Sequence, residues 1–442
     1  MKKLQLLQTG WAGLLVVAAL AGCSNSNNPD KQPGSAENEA KPGEGIQGRT
    51  ITFVTGSHPW VDVIKPLIPQ FEKETGINVR IQGYFEDQLT QKLTVQFTAR
   101  SETPDVFMYR PLQEGKLFFQ SGWLEPLDAY AGQDAEYDLG DFSPQSIRSS
   151  TVDGHLAGIP IVTEQQILYY RKDLLKEAGI EVPATIEELE EAAAKLNHPE
   201  QGVYGFVARG QRSPLVTQVS SFLYSEGGDF IKNGKAAINS PEAIKAFETY
   251  GGLLRNYGPP NAINMSWPQA SAFFAQGKAA LYTDANSIYR ALDTEESKVR
   301  GNVGFAPFPS GTKGSMPYNI TSWGLAINPK SPNKEAAWAF IKWASGKSVM
   351  LLTQQAGNPG PRSSVWKDPR GTIGFPEQLA AVFRQTVNGG IDHDRPQTVD
   401  VAAAREQVGK IVQMVITGET DIRQSADQAN AALQALLDEE AE

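Results

Sequence analysis

Pro160-Ile161-Val162-Thr163-Glu164-Gln165-Gln166-Ile167-Leu168-Tyr169-Tyr170-Arg171-Lys172-Asp173-Leu174-Leu175 decides how this chain folds. It continues an extended apolar run over residues 158–162. Pro160 interrupts that run, and a residue without an amide hydrogen suits a strand end or sheet edge, not a central strand. Two glutamines separate this run from the strand-like Ile167-Leu168-Tyr169-Tyr170, and charged residues then open a helix. A strand that leaves one globular unit and enters another has this pattern.

Upstream, Ile51-Thr52-Phe53-Val54-Thr55 reads as a first strand. One helix is expected next, with Val63, Ile64, Leu67, Ile68 and Phe71 on a single face and Gly76 as its C-terminal cap. Pro66 and Pro69 are tolerable there only in a first turn, where amide hydrogens lack partners. Ile77, Val79 and Ile81 alternate as a second strand, and Asp105-Val106-Phe107-Met108-Tyr109 forms a third. This strand–helix–strand rhythm implies a parallel α/β sheet. Downstream, Thr185-Ile186-Glu187-Glu188 is a capping box. Ser240-Pro241 and Ser331-Pro332 each carry the capping serine and first-turn proline of a helix start. Residues 324–328 read as a strand, and two helices are expected over 400–416 and 425–437, the first stopped by Gly418.

A chain of 442 residues is too long for one core. Its 40% hydrophobic and 20% charged content are those of a soluble globular protein. The net charge of −10 argues against a nucleic-acid partner, which needs a basic face. Lys2 and Lys3 precede an apolar stretch over 10–20 that is too short to span a bilayer. It ends in Leu20-Ala21-Gly22-Cys23, which resembles a bacterial lipobox. Cys23 is the only cysteine, so no intramolecular disulfide can form. Residues 1–22 are therefore expected to be a lipoprotein signal peptide and Cys23 a lipidated anchor to the cell membrane. Residues 23–48, rich in Ser, Asn, Pro and Gly, are expected to be a disordered tether.

Several further segments carry a family resemblance: Thr103-Pro104-Asp105-Val106-Phe107, Phe274-Ala275-Gln276-Gly277-Lys278-Ala279-Ala280-Leu281 and Ala306-Pro307-Phe308-Pro309-Ser310-Gly311. With the 160–175 stretch, and in this order, they resemble the extracellular solute-binding family of the ABC sugar importers, which includes the maltodextrin receptor. The resemblance runs from about residue 50 to the C-terminus. It implies an α/β, two-lobed periplasmic-binding-protein fold of the maltodextrin-binding type (type II), with interleaved lobes joined by a multi-strand hinge. Lobe 1 would comprise 49–163 and 325–356, and lobe 2 would comprise 164–324 and 357–442. It also implies an extracytoplasmic monomer that captures a carbohydrate, an oligosaccharide by expectation, for an ABC permease.

A sugar presents hydroxyl edges and apolar C–H faces, so its receptor needs aromatic platforms and short polar groups. In open α/β sheets these groups come from loops at the carboxyl ends of strands. His58 and Trp60 follow the first strand, where the family places ligand contacts, although Trp60 could equally pack at a helix start. Glu86 follows the second strand as a carboxylate able to hold two hydroxyls; Asp87 fits a helix cap as well. Tyr109 and Arg110 end the third strand, and the Arg110 fork suits vicinal hydroxyls or a uronate carboxylate. Glu164 matches the crossover glutamate of the maltodextrin receptor; the alternative is a hinge residue satisfied by backbone amides. Trp267, Asp284 and Asn286 are further candidates. Asn286-Ser287 stand where that receptor has a stacking tryptophan, which argues against a maltodextrin ligand. Trp323 either supplies the platform or packs between the lobes. Arg362 lies near the third crossing.

No metal and no cofactor is expected. The four histidines lack ligand spacing, and Asp392-His393-Asp394 reads as a solvated turn sooner than a cation site. No Walker loop, nucleophile elbow or dinucleotide fingerprint is present in the sequence. Two alternatives stay open: the same fold binding iron, a polyamine or another small solute, and a cell-surface glycoside-active enzyme using Glu86 and Glu164.

Overall fold

Residues 45–419 and 421–441 are described in the computed structural model of this chain. The expected signal peptide, Cys23 and the tether up to residue 44 lie outside the described residues. Gly45–Gly48, also assigned to the tether, form a turn whose Gly48 N–H donates to Gly76 O at 2.8 Å.

Among the described residues the main sheet has eight strands, numbered here in chain order. They are β1 (Thr50–Gly56), β2 (Asn78–Tyr84), β3 (Val106–Tyr109), β4 (Ile159–Arg171), β5 (Tyr204–Val207), β6 (Ala279–Ala285), β7 (Val303–Pro307) and β8 (Asn319–Ile327). Their hydrogen-bonded order is β2-β1-β3-β8-β4-β6-β5, and β7 also pairs with β4. β1 runs parallel to β2 and β3, as the strand–helix rhythm requires. β8 runs antiparallel to both of its neighbours, β3 and β4, so β4 resumes the direction of β3.

β4 takes part in two different ladders. Its first half pairs with β8, Gln165 opposite Asn319 and Ile159 opposite Leu325. Its second half, Ile167–Arg171, lies between β6 and β7. Pro160 therefore sits inside a continuous 13-residue strand, but on the half whose only ladder partner is β8. An edge position there leaves no bond for the missing amide hydrogen to make, and register shifts in β8 around Trp323 absorb the mismatch. The glutamines do not break the strand; Gln165 and Gln166 are buried within it.

Side-chain alternation along β4 distributes its residues between cores. Ile159, Ile161 and Val162 join a core with Phe53, Phe71, Phe107 and Phe340. Leu168 and Tyr170 face a second core around Phe206, Phe222 and Tyr250, whereas Ile167 and Tyr169 face a third around Phe274, Trp366 and Phe383. Helix Val401–Thr417 closes the second core with Val408, Ile411 and Val412.

Two local expectations are corrected. The single helix expected after β1 is three pieces, Pro59–Ile64, a 3₁₀ turn Lys65–Leu67 and Ile68–Thr75. Pro66 and Pro69 each lack the amide needed to continue the ladder, so each starts a new segment. Ser331 does not cap a helix; that helix begins at Lys334 behind Asn333. Ser331 instead donates to the buried Asp105 carboxylate at 2.5 Å, which also accepts from Thr52 N–H at 2.7 Å and Asn333 Nδ2 at 3.1 Å. Asp105 thus ties β1, β3 and the segment after β8 together. Asp105→Ala would leave those buried donors unpaired, and the expected cost is roughly 3 kcal/mol. A fall in urea midpoint at unchanged slope would register it.

Candidate functional site

The carboxyl ends of β1, β2 and β3, the crossing of β4 with β8, and loops beyond β5 and β6 open on one cleft of about 720 Å³. Of the expected contacts it gathers His58, Glu86, Arg110, Glu164, Trp267 and Trp323.

Trp323 forms an aromatic wall of the cleft. It is 5% exposed and rests on Gly56, where an added Cβ would lie 2.9 Å from the indole. The His58 ring is 5.8 Å from it and the Arg110 guanidinium 5.9 Å, centre to centre. Trp267 lies at the rim, 43% exposed, on the first turn of helix Trp267–Ala275. His58 caps helix Pro59–Ile64, its Nδ1 accepting from Trp60 N–H at 3.0 Å. Burial, with the charge of Arg290 second, brings its pKa down to about 4. The ring is therefore neutral near pH 7, and a lone pair on Nδ1 places its proton on Nε2, where it can donate.

Glu164, at the crossing of β4 and β8, accepts a 2.7 Å hydrogen bond from the Ser287 hydroxyl. Burial pushes its pKa up, against the opposing pull of Ser287 and of the Arg209 charge. Such a carboxyl accepts strongly while protein surrounds it, as a hydroxyl-binding group must.

Other expected contacts are placed elsewhere, each for a visible reason. Trp60 is fully buried in the first core, where it packs at the helix start. Tyr109 is 1% exposed and points at Gly158, whose missing side chain makes room for the phenol. Asp284 lies under the cleft and takes the Arg209 Nε at 3.0 Å, Gln218 Nε2 at 2.8 Å and the Tyr282 hydroxyl at 2.8 Å. It aims Arg209 at the cleft without lining it. Asn286 is buried and accepts from Gln165 N–H at 3.2 Å, fastening the loop after β6 to the crossing strand. Arg362 is 1% exposed; it donates to Ser345 O at 2.8 Å and Tyr137 O at 2.9 Å and lies 4.2 Å over the Phe142 ring.

Sequence reasoning missed Arg209, Asp394, Arg395 and Arg405, all on the cleft. The strand-end rule that found Arg110 would have found Arg209, just past β5. Arg405 shares the buried face of its helix with Val401, Ala404 and Val408, and a charge on an apolar stripe is a readable signal. The solvated-turn reading of residues 392–394 hid Asp394, which is completely buried and paired with Arg395 Nε at 2.6 Å. Burial alone would raise the Asp394 pKa, but Arg395 and then Arg405 hold it at about 2.

Three of the cleft's arginines are compensated locally. Arg110 is held by Glu114 at 3.0 Å and Glu86 at 3.2 Å, Arg209 by Asp284, and Arg395 by Asp394. One bond crosses the cleft, Arg395 Nη1 to Gln113 Oε1, and two more join the same parts of the chain outside its lining, Lys116 Nζ to Glu440 and Arg148 Nε to Asp392, each 2.6 Å. Among the described residues no cluster of His, Cys, Asp and Glu could hold a metal ion.

Three cores packed along one shared strand and a polar cleft with aromatic walls at the crossing define a two-lobed binding protein. The chain belongs to the bacterial extracellular solute-binding protein family, whose model matches residues 59–350. It is 31% identical to the mannitol-binding protein of Pseudomonas aeruginosa over 376 residues, 79% of this chain and 83% of that one. It is 27% identical to the erythritol/L-threitol-binding protein of Mycolicibacterium smegmatis over 335 residues, covering 70% of this chain and 69% of that one. A ribitol-bound solute-binding protein from Agrobacterium radiobacter superposes with a TM-score of 0.78 at 30% identity, over 88% of this chain and 99% of that one. As a member of this family the chain is an extracytoplasmic solute-binding protein of an ABC importer and not an enzyme.

Two histidines, His58 on the cleft and His393 beside Asp392 and Asp229, oppose one another in their pH dependence. Burial alone would lower the His393 pKa, but hydrogen bonds and charges from Asp229 and Asp392 outweigh it and raise it to about 9. The folded chain holds that proton between pH 6.5 and 9 while the unfolded chain releases it. His393 therefore stabilises fully below pH 6.5, and its contribution is lost as pH rises to 9. His58 works in reverse, its contribution present above pH 6.5 and lost as pH falls towards 4. Denaturant melts should show stability falling by up to about 1.4 kcal/mol per pH unit between pH 6.5 and 9. His393→Gln should remove that slope.

Proposed function

We propose that this chain captures a neutral sugar or polyol in the cleft and hands it to the membrane permease of its importer. The observation that carries the reading is the pairing of three cleft arginines with carboxylates of their own. Arg110, Arg209 and Arg395 each have a carboxylate partner, so they offer rigid N–H donors without demanding an anionic ligand. Trp323 and Trp267 supply faces for C–H surfaces, while Glu164, His58, Asn358 and Thr217 supply hydroxyl partners. Similarity to polyol-binding relatives supports the same class. A cleft of this size accommodates micromolar affinity, about −8 kcal/mol, from a few stacked faces and hydrogen bonds.

In this reading lobe 1 is 49–163 with 325–356, and lobe 2 is 164–324 with 357–442. Release follows a hinge rotation at the β4–β8 crossing that separates Gln113 from Arg395 and Lys116 from Glu440. The chain acts as a monomer tethered by lipid on Cys23. Metabolic labelling with palmitate should mark it, and Cys23→Ser should abolish the label.

Calorimetric titration with mannitol, ribitol, erythritol and maltose is expected to give saturable binding to at least one. Glu164→Gln and Trp267→Ala should each weaken that binding about tenfold, ~1.4 kcal/mol, with an unchanged melting temperature. Binding of a polyamine or iron with no response to any carbohydrate would overturn the reading.

A further inference from the structure

Arg110 and Gln113 form a wall with space on both sides. One side is the cleft. The other is a recess of about 420 Å³, bounded by helix Glu86–Thr98, helix Pro111–Gln120 and the start of helix Val401–Thr417. Its volume lies within the roughly 300–1,000 Å³ of small-molecule sites. Thr90, Gln91, Thr94 and Asp400 supply hydroxyl, amide and carboxylate groups around an apolar patch of Leu117 and Val399. Leu117 is 39% exposed, an apolar face turned to open space. Polar edges around an apolar patch match a sugar ring as the cleft does.

The two halves of the wall are held differently. Arg110 is fastened on its own side by Glu114, by Thr90 Oγ1 at 2.9 Å and by Glu86. The Gln113 side chain is partly exposed and is held from across the cleft, by Arg395 Nη1 at 2.6 Å. Its three side-chain torsions let it swing aside once that bond breaks.

We propose that the recess is a second saccharide subsite continuous with the cleft and shut by the Gln113–Arg395 bridge, so that Gln113 sets the length of neutral carbohydrate accepted. This rests on the sugar-or-polyol reading of the cleft. With the bridge closed the protein selects a polyol or short saccharide; with it removed, a longer linear saccharide extends past Arg110 into the recess.

The test is calorimetric titration of the full chain with mannitol, maltose and maltotriose. The wild type should bind at least one of the shorter probes at least tenfold more tightly than maltotriose. Gln113→Ala should raise maltotriose affinity relative to that shorter probe by tenfold or more. Thr94→Trp, which fills the recess, should cancel the gain when combined with Gln113→Ala. Lys116→Met removes a bond that joins the same parts of the chain without touching the wall, and should weaken all ligands by one common factor. A parallel change for short and long probes in Gln113→Ala would overturn the proposal. So would a gain that survives Thr94→Trp, or wild-type maltotriose binding as tight as that of the shorter probes. If the wild type binds none of the probes, the sugar reading itself fails, a result distinct from binding whose length preference ignores Gln113.

Discussion

β4 is the constraint on which the rest of the structure depends. A single strand of 13 residues is the edge of one ladder over its first half and the centre of another over its second. Neither half of the strand can pack its cores without fixing the direction in which the chain enters those of the other half. β8 crosses beside it, Asn319 to Thr321 pairing with Gln165 to Thr163, so the connection is a hydrogen-bonded ribbon and not a loose linker. Bending such a ribbon spreads a rotation over several residues and keeps its backbone bonds. A two-lobed receptor needs that kind of joint, and Glu164 and Trp323 sit on it.

The second constraint is electrostatic. Bringing arginines to a cleft between packed cores costs solvation, and each is held by a carboxylate or by carbonyl oxygens in fixed geometry. Asp284 under Arg209 and Asp394 beside Arg395 are both fully buried. Arg405 donates to Ser213 O at 2.9 Å and to Thr217 Oγ1 at 3.1 Å. The guanidinium planes thus become fixed donors, which suits a ligand rich in hydroxyls.

Much of the fold was legible in the sequence because it rests on local pattern. The strand over residues 167–170, the Thr185 capping box, and Gly76 and Gly418 at helix ends appear in the structure as read. Where the reading went astray, either a distant partner or a missing amide decided. Ser331 was drawn from its cap by Asp105, more than 200 residues away, and Pro66 and Pro69 each restarted the helix that was expected to run through them. Site residues divide in the same way. Strand-end position placed His58, Glu86 and Arg110 on the cleft, but it could not tell which neighbour turns inward. Tyr109 fell to the core because Gly158 leaves a space there, and Arg362 because the carbonyls around residues 137 and 345 surround it. Asp394 and Arg405 come from the C-terminal third, which reaches the cleft only through tertiary packing.

A protein that works outside the cytoplasm meets whatever acidity its surroundings impose. The Nδ1 of His58 is occupied by the Trp60 amide, and the ring resists a second proton until about pH 4. The imidazole beside Trp323 therefore offers the same uncharged donor in neutral and in soured medium. Recognition at that corner of the cleft is indifferent to the fermentation acids that accumulate wherever sugars are consumed.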